Sequence, residues 1–237
     1  LSGLRVQGKL PLLPINVAFP VAVYRTQGAA NPENLGILDI AAFADQSAAF
    51  RSSSSIDAVG FSPLWTKSFT LSMLQYYGAG FHANPAGAIA WDQDQLPTAL
   101  ESLTGYIQQA AGSLEHERYY TNKYLYDPPY KLLSENRILY HVMNLQDFLD
   151  IPVVKRENLS FSWLQTDKGP LTEEGMLLAG LVDTGKSSQG GKAFLTWLFS
   201  RDAQAAILTS NQVKRIRTFG IAGGFSTIRQ VNEAEIP

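Results

Sequence analysis

Apolar residues recur along this chain at two spacings, and the switches between them predict alternating strands and helices. Gly8 to Arg25 holds two β-rich apolar pieces interrupted by Pro14 and Pro20, residues that mark strand edges or kinks because they cannot donate to a ladder. Between Leu38 and Arg51 the positions Ile40, Phe43, Ala44 and Phe50 suit one face of a helix, closed by Ser52-Ser53-Ser54-Ser55. Ile56 to Phe61 reads as a strand. Ser62-Pro63-Leu64-Trp65 then forms a strand-to-helix turn, and Phe69, Met73, Leu74 and Tyr77 carry a helix to a stop at Gly78. Gly78 to Asp92 predicts a loop or small hairpin. Asp92 opens a helix with the face Leu96, Leu100, Leu103 and Ile107, which ends near Gly112-Ser113.

A tyrosine-rich segment follows, Tyr119, Tyr120, Tyr124, Tyr126 and Tyr130, broken by Pro128-Pro129. Tyr120 and Tyr124 share a helical face, so the expectation is packing with the phenol tips in water. Ile138 to Met143 predicts a buried strand, with Asn144 capping a helix through Leu149, and Leu159 to Leu164 a further strand. A polar loop from Thr166 to Glu174 leads to an expected strand, Gly175 to Asp183. Thr184-Gly185 turns into a helix capped by Ser187 or Ser188, whose Phe194, Trp197 and Leu198 form an apolar face expected to be buried together. Ser200 restarts a helix with the stripe Ala203, Ala206 and Ile207. In the tail, Phe219 to Ser226 combines glycines with aromatics, as at a hinge or a loop over a cleft.

Gly180 to Ser187 also satisfies G-x-x-x-x-G-K-[ST], the pattern in which backbone N–H groups cradle phosphate and the Lys and Ser meet phosphate oxygens and Mg²⁺. The match is formal: Leu181 and Val182 continue an apolar run, and Asp183 would set a carboxylate beside the phosphates. A P-loop nucleotide-binding enzyme using Gly180, Gly185, Lys186 and Ser187 is therefore an alternative reading. A glycoside hydrolase is another, because it needs two carboxylates about 5 to 9.5 Å apart. Asp92 and Asp94 would be candidates for that pair, although helix-start carboxylates are also expected for the dipole alone.

Composition narrows these classes. The 237 residues include 45% hydrophobic and 11% aromatic side chains, enough for a sizeable core, while a net charge of −2 without a basic block argues against nucleic acid as principal partner. The absence of cysteine removes disulfides and thiolate chemistry. His82, His116 and His141 match no metal-ligand spacing, so no metal site and no cofactor are expected. No apolar run approaches the roughly 20 residues of a membrane span.

The stretch Gly191-Lys192-Ala193-Phe194-Leu195-Thr196-Trp197-Leu198-Phe199-Ser200-Arg201-Asp202-Ala203-Gln204 resembles the A-x-x-F-L-x-W-L-x-S-x-x-A-Q segment of extracellular solute-binding proteins that serve ABC importers, the sugar-binding group in particular. Gly8-Lys9 through Pro14 to Tyr24 resembles the lobe crossover of the same family. The order of elements is similar to the second half of a maltose-binding-type receptor over nearly the whole chain. That resemblance implies an α/β, periplasmic-binding-protein-like two-lobed fold with the first lobe incomplete. It implies a crossover and first-lobe remnant in 1–20, a second lobe in 21–175, a return to the first lobe in 176–225, and a tail, 226–237, leading back towards the second. Ala18 stands where the family often has an acidic ligand contact, which implies a different sugar specificity.

The function implied is a receptor, not an enzyme, that closes two lobes on a carbohydrate-like solute and delivers it to the membrane subunits of an ABC permease. It would be monomeric, periplasmic or extracellular, with a lipoprotein anchor as one option. Trp65, at the mouth of a strand-to-helix turn, is the expected stacking face for a pyranose. Asn16 and Asn144 are expected to hydrogen-bond the sugar, with Phe19, Gln146 and Phe225 as further contacts.

Overall fold

The computed structural model describes residues 11–27, 36–53, 57–83, 89–172, 175–181 and 188–235. It divides into a smaller unit, Leu1–Ala18 with Glu174–Pro237, and a larger one, Phe19–Glu173. The smaller unit begins with β1 (Leu12–Pro14) and β2 (Asn16–Val17).

The larger unit runs through β3 (Pro20–Arg25), β4 (Ile37–Asp39), α1 (Ile40–Ser53), α2 (Lys67–Tyr76), β5 (Phe81–Ala83) and β6 (Ile89–Trp91). It continues with α3 (Leu96–Ala111), α4 (Leu114–Lys123), α5 (Pro129–Ser134), β7 (Tyr140–Asn144), α6 (Leu145–Asp150), α7 (Val153–Arg156), β8 (Leu159–Thr166) and β9 (Gly169–Pro170). The sheet order is β4-β8-β3-β7, with β9 folding back on β8. β3 lies antiparallel between β7 and β8, and β4 is parallel to β8. Val21, Ala22 and Val23 are 0% exposed, as expected of a strand covered on both faces. On one face Phe43, Phe61, Phe69 and Met73 join Tyr140, Val142 and Leu164 in a single core.

The segment expected as a strand over 56–61 contributes a parallel bridge, Val59 to Ile138, at the β7 edge. It comes this close because Gly60 lies against the backbone of Ser47 on α1, where a Cβ would collide. On α3 the buried arc is Ala99, Leu103, Tyr106, Ile107 and Ala110, and Leu100 is exposed rather than part of the face. The small side chains at Ala99 and Ala110 let α3 approach its neighbours, which turns the buried arc away from Leu100. Tyr120 is wholly buried, hydroxyl included, instead of reaching water.

The chain returns to the smaller unit with β10 (Leu178–Gly180), α8 (Ser188–Leu198), α9 (Arg201–Val213), β11 (Phe225–Ser226) and α10 (Arg229–Glu235). β10 pairs with β1 and β11 with β2, both antiparallel. The strand expected over 175–183 is thus regular only at Leu178–Gly180, and Val182 and Asp183 lie outside the described residues. Ser200 caps α9 as expected, accepting from the Ala203 N–H at 3.2 Å. The buried stripe on α9 is Ala203, Gln204 and Leu208, with Ala206 exposed. Gln204 sinks inward because its amide donates to the Leu198 carbonyl at 3.1 Å and accepts the Ser226 hydroxyl. Val231 of α10 packs with Leu208 and Ile221 within the smaller unit.

The expected burial of Phe194, Trp197 and Leu198 is corrected. Phe194 is 56% and Trp197 51% exposed, their rings 5.7 Å apart. Among the described residues the smaller unit offers two two-stranded ladders and two further helices, too little surface to cover α8. Trp197→Ala should accordingly change stability by less than about 1 kcal/mol. Phe69→Ala, at 0% exposure, should cost about 3 to 5 kcal/mol. Urea denaturation of the two variants checks this, and equal losses would contradict it.

Candidate functional site

β7, β8 and β4 all run opposite to β3, so their carboxyl ends meet the start of β3 at one end of the larger unit's sheet. That is the end at which α/β sheets commonly bind ligands. Pro20 pairs with Asn144, and Val21 with Trp163. Phe19, directly before β3, sets its ring edge-on to Trp163 with centroids 6.3 Å apart. Asn144 caps α6 as its sequence position predicted, its side chain accepting from the Gln146 N–H at 2.8 Å. The Gln146 amide donates to Asp150 at 2.8 Å. Of the residues expected from sequence, Phe19 thus packs on Trp163, while Asn144 and Gln146 stand at the same end of the sheet, across β3 on β7 and α6. Trp163 was missed, although its alternation with Phe161 on β8 marks it as a second aromatic on one face.

Trp65 reaches the same end from the β7 edge. The parallel bridge brings Ser62 to Trp65 alongside the strand, and Thr66 Oγ1 donates to the Val142 carbonyl at 2.7 Å. The half-buried indole meets Tyr120 and His141 edge-on, each at 5.8 Å between centroids. Below it, Glu117 of α4 is 0% exposed; its Oε1 accepts from Ser62 Oγ at 2.8 Å and from the Leu64 N–H at 2.7 Å. Glu117 was also missed. Its signal is a polar residue within the helical stripe Leu114, Glu117, Tyr120 and Tyr124.

Asn16 and Phe225 belong to the smaller unit. Asn16 is buried; its Nδ2 donates to the carbonyls of Ile221 and Ala222, both at 3.0 Å, and its Oδ1 accepts from Leu177 N–H at 2.7 Å. Its amide thus joins β2 to the turn before β11 and to the approach of β10. Gly224 leaves room for this, since a Cβ there would meet the Val17 carbonyl at 2.8 Å. Phe225 pairs with Val17 and packs its ring on Phe219 at 4.9 Å. Asn16→Ala would strand the Leu177 N–H and should destabilise the smaller unit by about 1 to 3 kcal/mol, read as a lower denaturation midpoint. An unchanged midpoint would contradict the stapling role.

Of the phosphate-loop pattern, Val182 to Ser187 lie outside the described residues; among the described residues β10, which leads into it, pairs with β1. Asp92 Oδ1 accepts from the Asp94 and Gln95 N–H groups ahead of α3, a capping arrangement. Among the described residues no cluster of side chains suits a metal ion, and no helix is long and apolar enough to cross a membrane.

Two buried groups give the site opposite pH responses. Burial pushes Glu117 up to about 7, against the pull of the Leu64 and Ser62 hydrogen bonds and the nearby His116. Burial holds His141 down at about 4. A carboxyl that binds its proton more tightly when folded stabilises below its ordinary value of 4.5 and loses that contribution as pH rises to about 7. His141 acts the other way, its contribution being lost as pH falls from 6.5 to about 4. Glu117→Gln should therefore raise stability relative to the parent by on the order of 2 to 3 kcal/mol at pH 8 but little at pH 4.5. Denaturation at both pH values tests this; an equal difference at the two would contradict it.

No protein-family model matches the chain, and no curated protein matches it in sequence. Solved structures do match. A mannotriose-bound protein, CpMnBP1, has a TM-score of 0.60 at 16% identity, covering 99% of this chain and 60% of its own. An extracellular solute-binding protein family 1 member from Alicyclobacillus acidocaldarius gives 0.57 at 14% identity, covering 98% and 56%. The maltose-binding periplasmic protein of Listeria monocytogenes, in complex with maltose, gives 0.50 at 11% identity, covering 99% and 66%. The chain thus has, over nearly its whole length, the fold of these solute-binding proteins, and it spans 56 to 66% of their lengths.

Proposed function

We propose that this chain is part of an extracellular or periplasmic solute receptor that binds a carbohydrate-like molecule and serves an ABC importer, without chemistry of its own. The observation that carries this reading is the carboxyl end of the larger unit's sheet, where Phe19 packs its ring against Trp163, Asn144 caps α6 ahead of Gln146, and the turn bearing Trp65 is tied to β7 through Thr66. Pyranose rings present an apolar C–H face and a rim of hydroxyls, and flat aromatics beside amides answer both. The fold likeness to proteins bound to mannotriose and maltose supports the same ligand class. Trp65 is the stacking face in this reading. Asn144, Gln146 and Phe19 line the rim, and Asn16 acts by holding the smaller unit together. Periplasmic or surface location, a monomeric state and delivery to a permease belong to the same proposal, with lipid anchoring as one option.

Calorimetric titration of the chain with mannotriose and with maltose tests it. One of the sugars should bind, and Trp65→Ala should weaken that binding at least tenfold, about 1.4 kcal/mol. Stability should fall by only about 1 to 2 kcal/mol, since the indole is half-buried. Unchanged affinity in Trp65→Ala would remove Trp65 from the site. Heat with ATP that vanishes in Lys186→Ala would replace the reading with nucleotide binding.

A further inference from the structure

The turn that presents Trp65 is wrapped around one oxygen atom. Ser62 Oγ and the Leu64 N–H, two residues apart, converge on Oε1 of Glu117, and the Trp65 N–H closes the turn on the Ser62 carbonyl at 3.2 Å. Thr121, one turn further along α4, brings its Oγ1 to 3.3 Å from the same Ser62 hydroxyl. From the other side Thr70 Oγ1 donates to the Pro63 carbonyl at 3.0 Å. Tyr120, three residues after Glu117, braces the indole ring itself. One helix therefore grips both the backbone and the ring of the proposed stacking residue.

Stability alone does not account for a carboxyl here. Glu117 is fully buried, and its second oxygen, Oε2, has no hydrogen-bond partner among the described residues. Burying a carboxyl this way costs stability that a well-packed apolar side chain would not. What it supplies is an acceptor able to take two donors at once and so fix the turn in one conformation.

We propose that Glu117 is the positioning residue of Trp65, holding the Ser62–Leu64 turn through Oε1 so that the indole is fixed in its ligand-facing orientation before any ligand arrives. The inference rests on the reading of Trp65 as a stacking face. Its mechanism is preorganisation: a turn already ordered does not lose conformational freedom on binding.

Two measurements test it, one independent of any sugar. The chain has four tryptophans, Trp65, Trp91, Trp163 and Trp197, so replacing the last three with Phe leaves Trp65 as the sole emitter. In that background Glu117→Met, which fills the space but accepts no hydrogen bond, should raise acrylamide quenching of Trp65 about twofold or more. Glu117→Gln retains an acceptor oxygen and should stay within about 1.5-fold of the parent. Ser62→Ala removes one of the two donors with almost no change in volume and should give an intermediate increase, which decides the matter if Glu117→Met does not fold. Equal quenching in Glu117→Met and Glu117→Gln, or no change in Ser62→Ala when Glu117→Met is unfolded, would overturn the proposal.

The second measurement is a double-mutant cycle on mannotriose and maltose affinity. Glu117→Met should weaken binding about tenfold with Trp65 present and less than twofold in the Trp65→Ala background. A full tenfold effect without Trp65 would overturn the positioning role. Loss of the stacking reading has a separate signature: Trp65→Ala binds sugar as the parent does, while the quenching series still reports whether Glu117 holds the turn.

Discussion

The architecture of the larger unit depends on β3 lying antiparallel between β7 and β8. Three consecutive residues, Val21 to Val23, have no exposed surface, so both faces of the strand are covered; β7 and β8, each antiparallel to β3, run in one common direction. That direction brings the ends of β4, β7 and β8, the start of β3 and the Ser62–Trp65 turn together. The site is thus a consequence of strand polarity. A β3 reversed in register by one residue would exchange its two buried faces and separate Phe19 from Trp163.

At that end of the sheet, polar groups are fixed by local hydrogen bonds. Asn144 is fixed by its capping bond to α6, and Trp65 by a turn held on one side by Glu117 and on the other, through Thr66, by the Val142 carbonyl. In the smaller unit Asn16 plays a comparable part, with three hydrogen bonds joining segments more than 150 residues apart in sequence. Its short strands could not hold those segments through ladders alone.

Most elements of the larger unit are legible in the sequence because their faces are buried on simple periods. α2 with Phe69, Met73 and Leu74, the cap at Asn144, and the strands at 140–144 and 159–166 follow the pattern directly. Legibility fails where a polar residue does an apolar residue's job. Glu117 and Gln204 sit in buried stripes because their hydrogen bonds are supplied by partners 53 and 22 positions away, which no local window contains. It also fails at Phe194 and Trp197, where a clear apolar face has no surface among the described residues to cover it. Of the candidate site, Phe19, Asn144 and Gln146 are legible as individual polar or aromatic residues at strand ends, whereas Trp163 meets Phe19 only through strand pairing.

The proposal built on these observations is sugar recognition by preorganised aromatics at a sheet's carboxyl end. Saturation-transfer NMR with excess mannotriose measures it most directly, because magnetisation passes from protein to ligand only where protons are in contact. The account predicts strong transfer to the C–H protons of one pyranose face, lost in Trp65→Ala. Transfer absent for mannotriose and maltose alike, or unchanged in Trp65→Ala, would contradict it.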